Sequence, residues 1–177
     1  MSPDPRMVLR PSLLRRLVGG AGADTRPAWE YDTSLRELRQ EVMTHLERLL
    51  NTRAQVIPEL DGLPEAQDSL LTYGLTELSS YSRGDEREMA LLCEQVRTTI
   101  QRFEPRLDPK SVKVRVLPRS NHPSHPGDAA QSDPNDFGIA RLQIEAVLHV
   151  EPIRADVAFD TRVDMTVGHI EIEAAGS

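Results

Sequence analysis

With Cys93 as its one cysteine, the chain can form no internal disulfide, and a reducing compartment is the simplest setting for it. Aromatic residues are nearly as scarce, at 4% of the 177 residues. A core must therefore be built from leucine, valine and isoleucine. No apolar run approaches the roughly 18 residues that a membrane-spanning helix needs. No signal peptide is expected either, because Pro3, Asp4 and Pro5 come first and arginines flank Leu13-Leu14. A basic excess is also missing. The formal net charge is −7, which argues against bulk nucleic-acid binding and against docking on an anionic membrane. There is no phosphate-binding loop: Gly19-Gly20-Ala21-Gly22 lacks both a preceding strand and a following Lys-Ser/Thr. What remains is a soluble, cytoplasmic protein with room for one domain.

Hydrophobic and charged residues, at 38% and 28%, are in ordinary globular proportion. Residues 1–33 read as a flexible segment, punctuated by Pro3, Pro5, Pro11 and Pro27 and jointed at Gly19–Gly22. Within it, Leu13, Leu14 and Leu17 share one face if the stretch is helical, with Ser12 as a cap. So short an amphipathic stretch cannot bury itself, and a partner or its own domain must cover it.

Residues 34–177 read as a single α+β domain. Leu35, Leu38, Val42, Leu46, Leu49 and Leu50 recur at helical spacing over 34–53. Ser34 and Glu37 suggest a capping box at the start of that helix. The segment 58–85 reads as connecting structure with short helical pieces near 65–72 and 76–82. A second amphipathic helix spans 86–103 through Met89, Leu92, Cys93, Val96, Ile100 and Phe103, and Pro105 and Pro109 end it. The period then changes to two. Val112, Val114 and Val116 predict one strand, and Leu142, Ile144, Ala146, Leu148 and Val150 a half-buried antiparallel one. Val157, Phe159, Val163, Met165 and Val167 predict a third, and Ile170 and Ile172 a short last edge. A long loop spans 118–138. The order implies two main amphipathic helices packed on a small antiparallel sheet.

No constellation points to catalysis. A glycosidase needs two carboxylates flanking a substrate, but the acids lie on polar faces, as with Glu171 and Glu173 between Ile170 and Ile172. His122 and His125 sit in the long loop with no cysteine or carboxylate clamp, so they read as polar loop residues and not as metal ligands. His45 and His149 read as solvated. Cys93 lies in the apolar stripe of its helix and reads as an inert core thiol. No cofactor is implied. Phe103-Glu104-Pro105-Arg106-Leu107 has two readings. Glu104 is unfavourably placed at the negative end of a helix dipole. It either pairs locally with Arg106, or both charges are displayed for a partner.

Several segments carry a resemblance. Arg10-Pro11-Ser12-Leu13-Leu14-Arg15-Arg16-Leu17 resembles the leading peptide of TssE-type proteins. Leu49-Leu50-Asn51-Thr52-Arg53, Tyr73-Gly74-Leu75 and Glu104-Pro105-Arg106 resemble that family's helix terminus, tripeptide and most specific motif. The strand 141–150 with Glu151-Pro152 fits its sheet. The family is the baseplate wedge family shared by contractile phage tails and type VI secretion. The resemblance implies a structural, non-enzymatic wedge subunit at the cytoplasmic face of the inner membrane. Its partners would be TssF, TssG and TssK near a spike protein, and a sheath of TssB and TssC that it templates by strand exchange. It would be part of a hetero-oligomer, with no nucleic-acid partner and no membrane insertion. It assigns Glu104, Pro105 and Arg106 to a charge-paired partner contact, and Leu13, Leu14 and Leu17 to a groove on TssF and TssG. The same fold in a phage-derived contractile particle is the alternative, and a peptidoglycan hydrolase the enzymatic one. The loop 118–138 is longer than the family pattern.

Overall fold

A computed structural model describes residues 31–55, 57–60, 62–67, 69–78, 81–82, 84–117, 138–150 and 153–175. The leading peptide with Leu13, Leu14 and Leu17, the Gly19–Gly22 joint, and His122 and His125 in the long loop lie outside the described residues. The chain divides into two units between Val42 and Met43, and apart from the first turns of the first helix everything described below belongs to the second.

The first helix, α1 (Tyr31–Asn51), starts three residues before the expected point. Ser34 therefore lies within the helix and not at its first residue. Its later turns bury Leu46, Leu49 and Leu50 completely. A connecting stretch follows, made of the turns Pro58–Leu60 and Leu70–Thr72 on either side of one short helix, α2 (Pro64–Gln67). The second long helix, α3 (Glu86–Phe103), has the expected bounds. Asp85 caps it by accepting the Arg87 N–H at 2.8 Å. Pro105 stops it, and Met89, Leu92, Cys93, Val96 and Ile100 form its buried stripe.

The sheet is a four-stranded antiparallel meander, β1 (Lys113–Val116), β2 (Ile139–Val150), β3 (Ile153–Asp164) and β4 (His169–Ala174), with spatial order equal to chain order. In β2, Leu142, Ile144, Ala146 and Leu148 are buried, and the residues between them face outward. Phe159 and Val163 on β3 and Ile170 and Ile172 on β4 extend the same buried face. Together with the leucine-rich stripes of the helices this gives an α+β domain with one core. Two expected core residues lie elsewhere. Val167 is 72% exposed because it belongs to the turn between β3 and β4, and Val116 is 42% exposed because β1 is an edge strand.

Candidate functional site

The three motif segments of this unit, distant in sequence, meet where α1 and α3 end. Asn51 closes α1. Its side-chain amide accepts the Ile170 N–H at 2.9 Å and donates to the Ile170 carbonyl at 2.7 Å, which fastens the helix end to β4. Arg53 donates to the Gly168 carbonyl in the β3–β4 turn. The backbone of Arg53 forms a parallel bridge with Leu75, through the groups of its neighbours Thr52 and Ala54. Leu75 N–H reaches the Thr52 carbonyl at 2.9 Å and Ala54 N–H the Leu75 carbonyl at 2.8 Å. Gly74 makes this approach possible. Its φ is +115°, and a Cβ there would collide with the Thr52 carbonyl.

Tyr73 brings the second and third motifs together. Its ring meets Phe103 edge-on, with centroids 5.2 Å apart. The next residue, Glu104, has no exposed surface and forms the hub. Its carboxylate takes the Arg106 guanidinium in a fork, Nε to Oε1 and Nη2 to Oε2 both at 2.7 Å. It also accepts the Arg106 N–H at 3.2 Å, and His45 Nδ1 lies 2.5 Å from Oε2. Tyr73 Oη lies 3.5 Å from the other ring nitrogen of His45, at the outer limit of a hydrogen bond. The backbone beyond Glu104 is fixed to the sheet, since His149 N–H donates to the Arg106 carbonyl at 2.8 Å and Asp108 N–H to the Val147 carbonyl at 2.9 Å. Leu107, next in the chain, is buried.

The electrostatics follow from this geometry. Burial opposes the charge on Glu104, but the hydrogen bonds and charge of Arg106, then the His45 hydrogen bond, outweigh it and hold the carboxyl below the usual carboxylate range. An ionised carboxylate only accepts, so the facing Nδ1 of His45 carries a proton. Burial first, and then the charge of Glu104, push the Tyr73 phenol upward against the opposing Arg48.

Two expectations are corrected here. Glu104 is not displayed: its carboxylate faces inward, and of the motif only exposed Pro105 and the Arg106 side chain, 25% exposed, reach the surface. His45 is not simply solvated but belongs to the Glu104 cluster, 59 residues away in sequence. No signal in a local window could have shown that. Asn51 was visible only as part of a motif, and its grip on β4 had no sequence sign.

A carboxylate so enclosed and so fully paired is poorly placed to be a nucleophile or a proton acceptor. Burial also pushes the Cys93 thiol upward, away from the reactive thiolate. Among the described residues no group of His, Cys, Asp and Glu could hold a metal ion, and no helix is long and apolar enough to cross a membrane. The arrangement is suited to holding Arg106 and Pro105 rigidly at the surface. The family model for the baseplate wedge protein gp25 matches residues 36–153, about two-thirds of the chain. No curated protein and no solved structure matches.

Proposed function

The chain belongs to the gp25 baseplate wedge family, and from that premise we propose that it is the TssE-type wedge subunit of a type VI secretion baseplate. Membership itself makes it a baseplate component that contacts other baseplate proteins. In the proposed role it sits at the cytoplasmic face of the inner membrane with TssF, TssG and TssK. There it gives the first ring of TssB and TssC sheath a strand-exchange template. It does this as a scaffold, without chemistry of its own.

The observation that carries the proposal is the convergence of Leu49–Arg53, Tyr73–Leu75 and Glu104–Arg106 on one corner of the domain. These are the segments that resemble the TssE pattern, and each depends on the others for its place. In this reading Glu104 acts from inside by orienting Arg106, while Pro105 and the outer edge of Arg106 touch the sheath or an adjacent wedge protein. Leu13, Leu14 and Leu17 take the groove on TssF and TssG.

A phage-derived contractile particle is the second reading. The matched residues begin at 36 and leave out the leading peptide, whose resemblance is to the secretion proteins. One experiment separates the two. The tagged chain, with a photo-crosslinking residue in place of Pro105, is purified from its source bacterium and its attached proteins are identified. Recovery of TssF and TssG, with TssB or TssC joined at position 105, is expected. Tail proteins in their place would move the subunit to the phage-derived machine. A chain recovered alone would remove the proposed partners.

A further inference from the structure

The sheet has two outer edges, β1 and β4, and they differ in a way that bears on where a strand can be added. Register fixes which backbone groups point outward. Leu117 N–H donates to the Arg141 carbonyl, so 117, 115 and 113 bond to β2, and the N–H and C=O groups of Val114 and Val116 point away from the sheet. On the other side, Ala175 N–H donates to the Ala158 carbonyl, so Ile170, Ile172 and Ala174 point outward on β4. The Asn51 amide occupies both outward groups of Ile170. The β4 edge is thus closed at its start by a side chain that imitates a strand.

No such cover lies on β1 among the described residues. Beside it, α3 leaves an open cavity of about 360 Å³, lined by Ala90, Cys93, Val114 and Val116 together with the charged Glu86, Glu94 and Arg97. Val116 remains 42% exposed there. By contrast, Ile170 and Ile172 of β4 are already buried. The apolar surface that an added strand would cover is therefore on β1. The opposite face of β1 carries two exposed cations, Lys113 and Arg115, against one acid on β2, Glu145, which stands opposite Lys113 and pairs with Arg115.

Resting on the strand-exchange reading above, we infer that β1 is the receiving edge, and that its occupant is an extended segment of another protein with apolar residues alternating with acidic ones. The apolar residues enter the cavity under α3, and the acidic ones lie over Lys113 and share Arg115 with Glu145, whose exposed ion pair is weak. The main-chain partners are the outward groups of Val114 and Val116. A second copy joined β1 to β1 would set the Lys113 and Arg115 of both chains on one face with only one Glu145 from each, a net excess of positive charge that disfavours it. The β4 of a second copy has suitable acids in Glu171 and Glu173, but its Ile170 groups are taken by Asn51.

The test uses the full chain and a capped seven-residue peptide of alternating valine and glutamate, with a valine–lysine peptide as control. Hydrogen exchange of the chain's amides and binding of labelled peptide are measured. The acidic peptide is expected to slow exchange at Val114 and Val116. It is expected to bind at least about tenfold more tightly than the basic one, the equivalent of one or two hydrogen bonds or ion pairs. Val116→Pro removes only an outward N–H, so it should keep the melting temperature and lose binding. Ala90→Trp, on the exposed side of α3, should do the same by filling the cavity. Slowed exchange at Ile172 and Ala174 would keep strand exchange but move it to β4 and overturn the inference. No slowing at either edge would overturn both. Equal binding of the two peptides, or peptide-independent dimers in sedimentation, would overturn the stated partner chemistry.

Discussion

Glu104 sits out of water and at the negative end of the α3 dipole, and both placements oppose its charge. Arg106 and His45 more than compensate, so the folded protein ionises this carboxyl more readily than the unfolded chain does. The resulting stability is fully present above the unfolded value, about pH 4.3. It is lost as pH falls through the lower folded value. Glu104→Gln is therefore expected to lower stability at neutral pH by about 2–3 kcal/mol, the scale of breaking a buried pair whose partner stays partly exposed. It should also flatten the acid side of a plot of urea midpoint against pH. An unchanged acid slope would assign that titration to another group. Thr161 is the converse case. It is 3% exposed, and its hydroxyl has no hydrogen-bond partner among the described residues. Thr161→Val keeps the shape and is expected to raise stability by about 1 kcal/mol in urea unfolding. The local Glu104–Arg106 pair was legible in the sequence, because two residues of opposite charge flank a proline at a helix stop. The other half of the cluster was not, because His45 and Tyr73 reach it only through the tertiary fold.

Elements were legible where local chemistry and tertiary packing agree. The α3 bounds follow from Asp85 at one end and Pro105 at the other, and β2 follows from its alternation. Agreement failed at two places. Ser34 and Glu37 have the spacing of a capping box, yet nothing between Pro27 and Ser34 forbids a helix, and α1 winds back to Tyr31. The alternation over Val112–Val116 identified a strand, but the burial of Val116 depends on a neighbour beyond the edge, which the strand's own pattern cannot reveal. The joint between α1 and the sheet gives two expectations at this scale. Asn51→Ala removes the side-chain bonds to both backbone groups of Ile170. A loss of about 1–3 kcal/mol is expected, with faster hydrogen exchange at Ile170 and little change in β2. Gly74→Ala forces a side chain into a left-handed backbone and against Thr52. The loss there should be at least about 2 kcal/mol, and the Leu75 amide should lose its protection. Intact Leu75 protection would mean that the bridge survives without glycine.

At the scale of the whole sheet the two edges differ: β1 carries Lys113 and Arg115, with Glu145 of β2 beside them, and β4 carries Glu171 and Glu173, with Arg162 of β3 opposite Glu171. In the proposed template role, an edge left uncovered among the described residues, opposite one closed at its start by Asn51, would give an assembly one direction of growth. That is what a template for a tube requires, and neither edge alone supplies it. The leading segment adds a second, independent point of attachment in this reading. Leu13, Leu14 and Leu17 precede the family match, and the sheet, both helix ends and the Glu104 cluster are built from residues 43–177. Removing residues 1–18 is therefore expected to leave the melting transition of the domain in place. Association with TssF and TssG is expected to fall by roughly a hundredfold, since three leucines leaving an apolar groove forfeit several kcal/mol before the ordering of the peptide is counted. Binding of the valine–glutamate peptide at β1 should persist in the same truncated chain, because that edge is built wholly within residues 43–177. If truncation weakened both contacts together, the two attachments would be one coupled surface. If it weakened neither, the groove assignment of the three leucines would fail while the sheet edge stood.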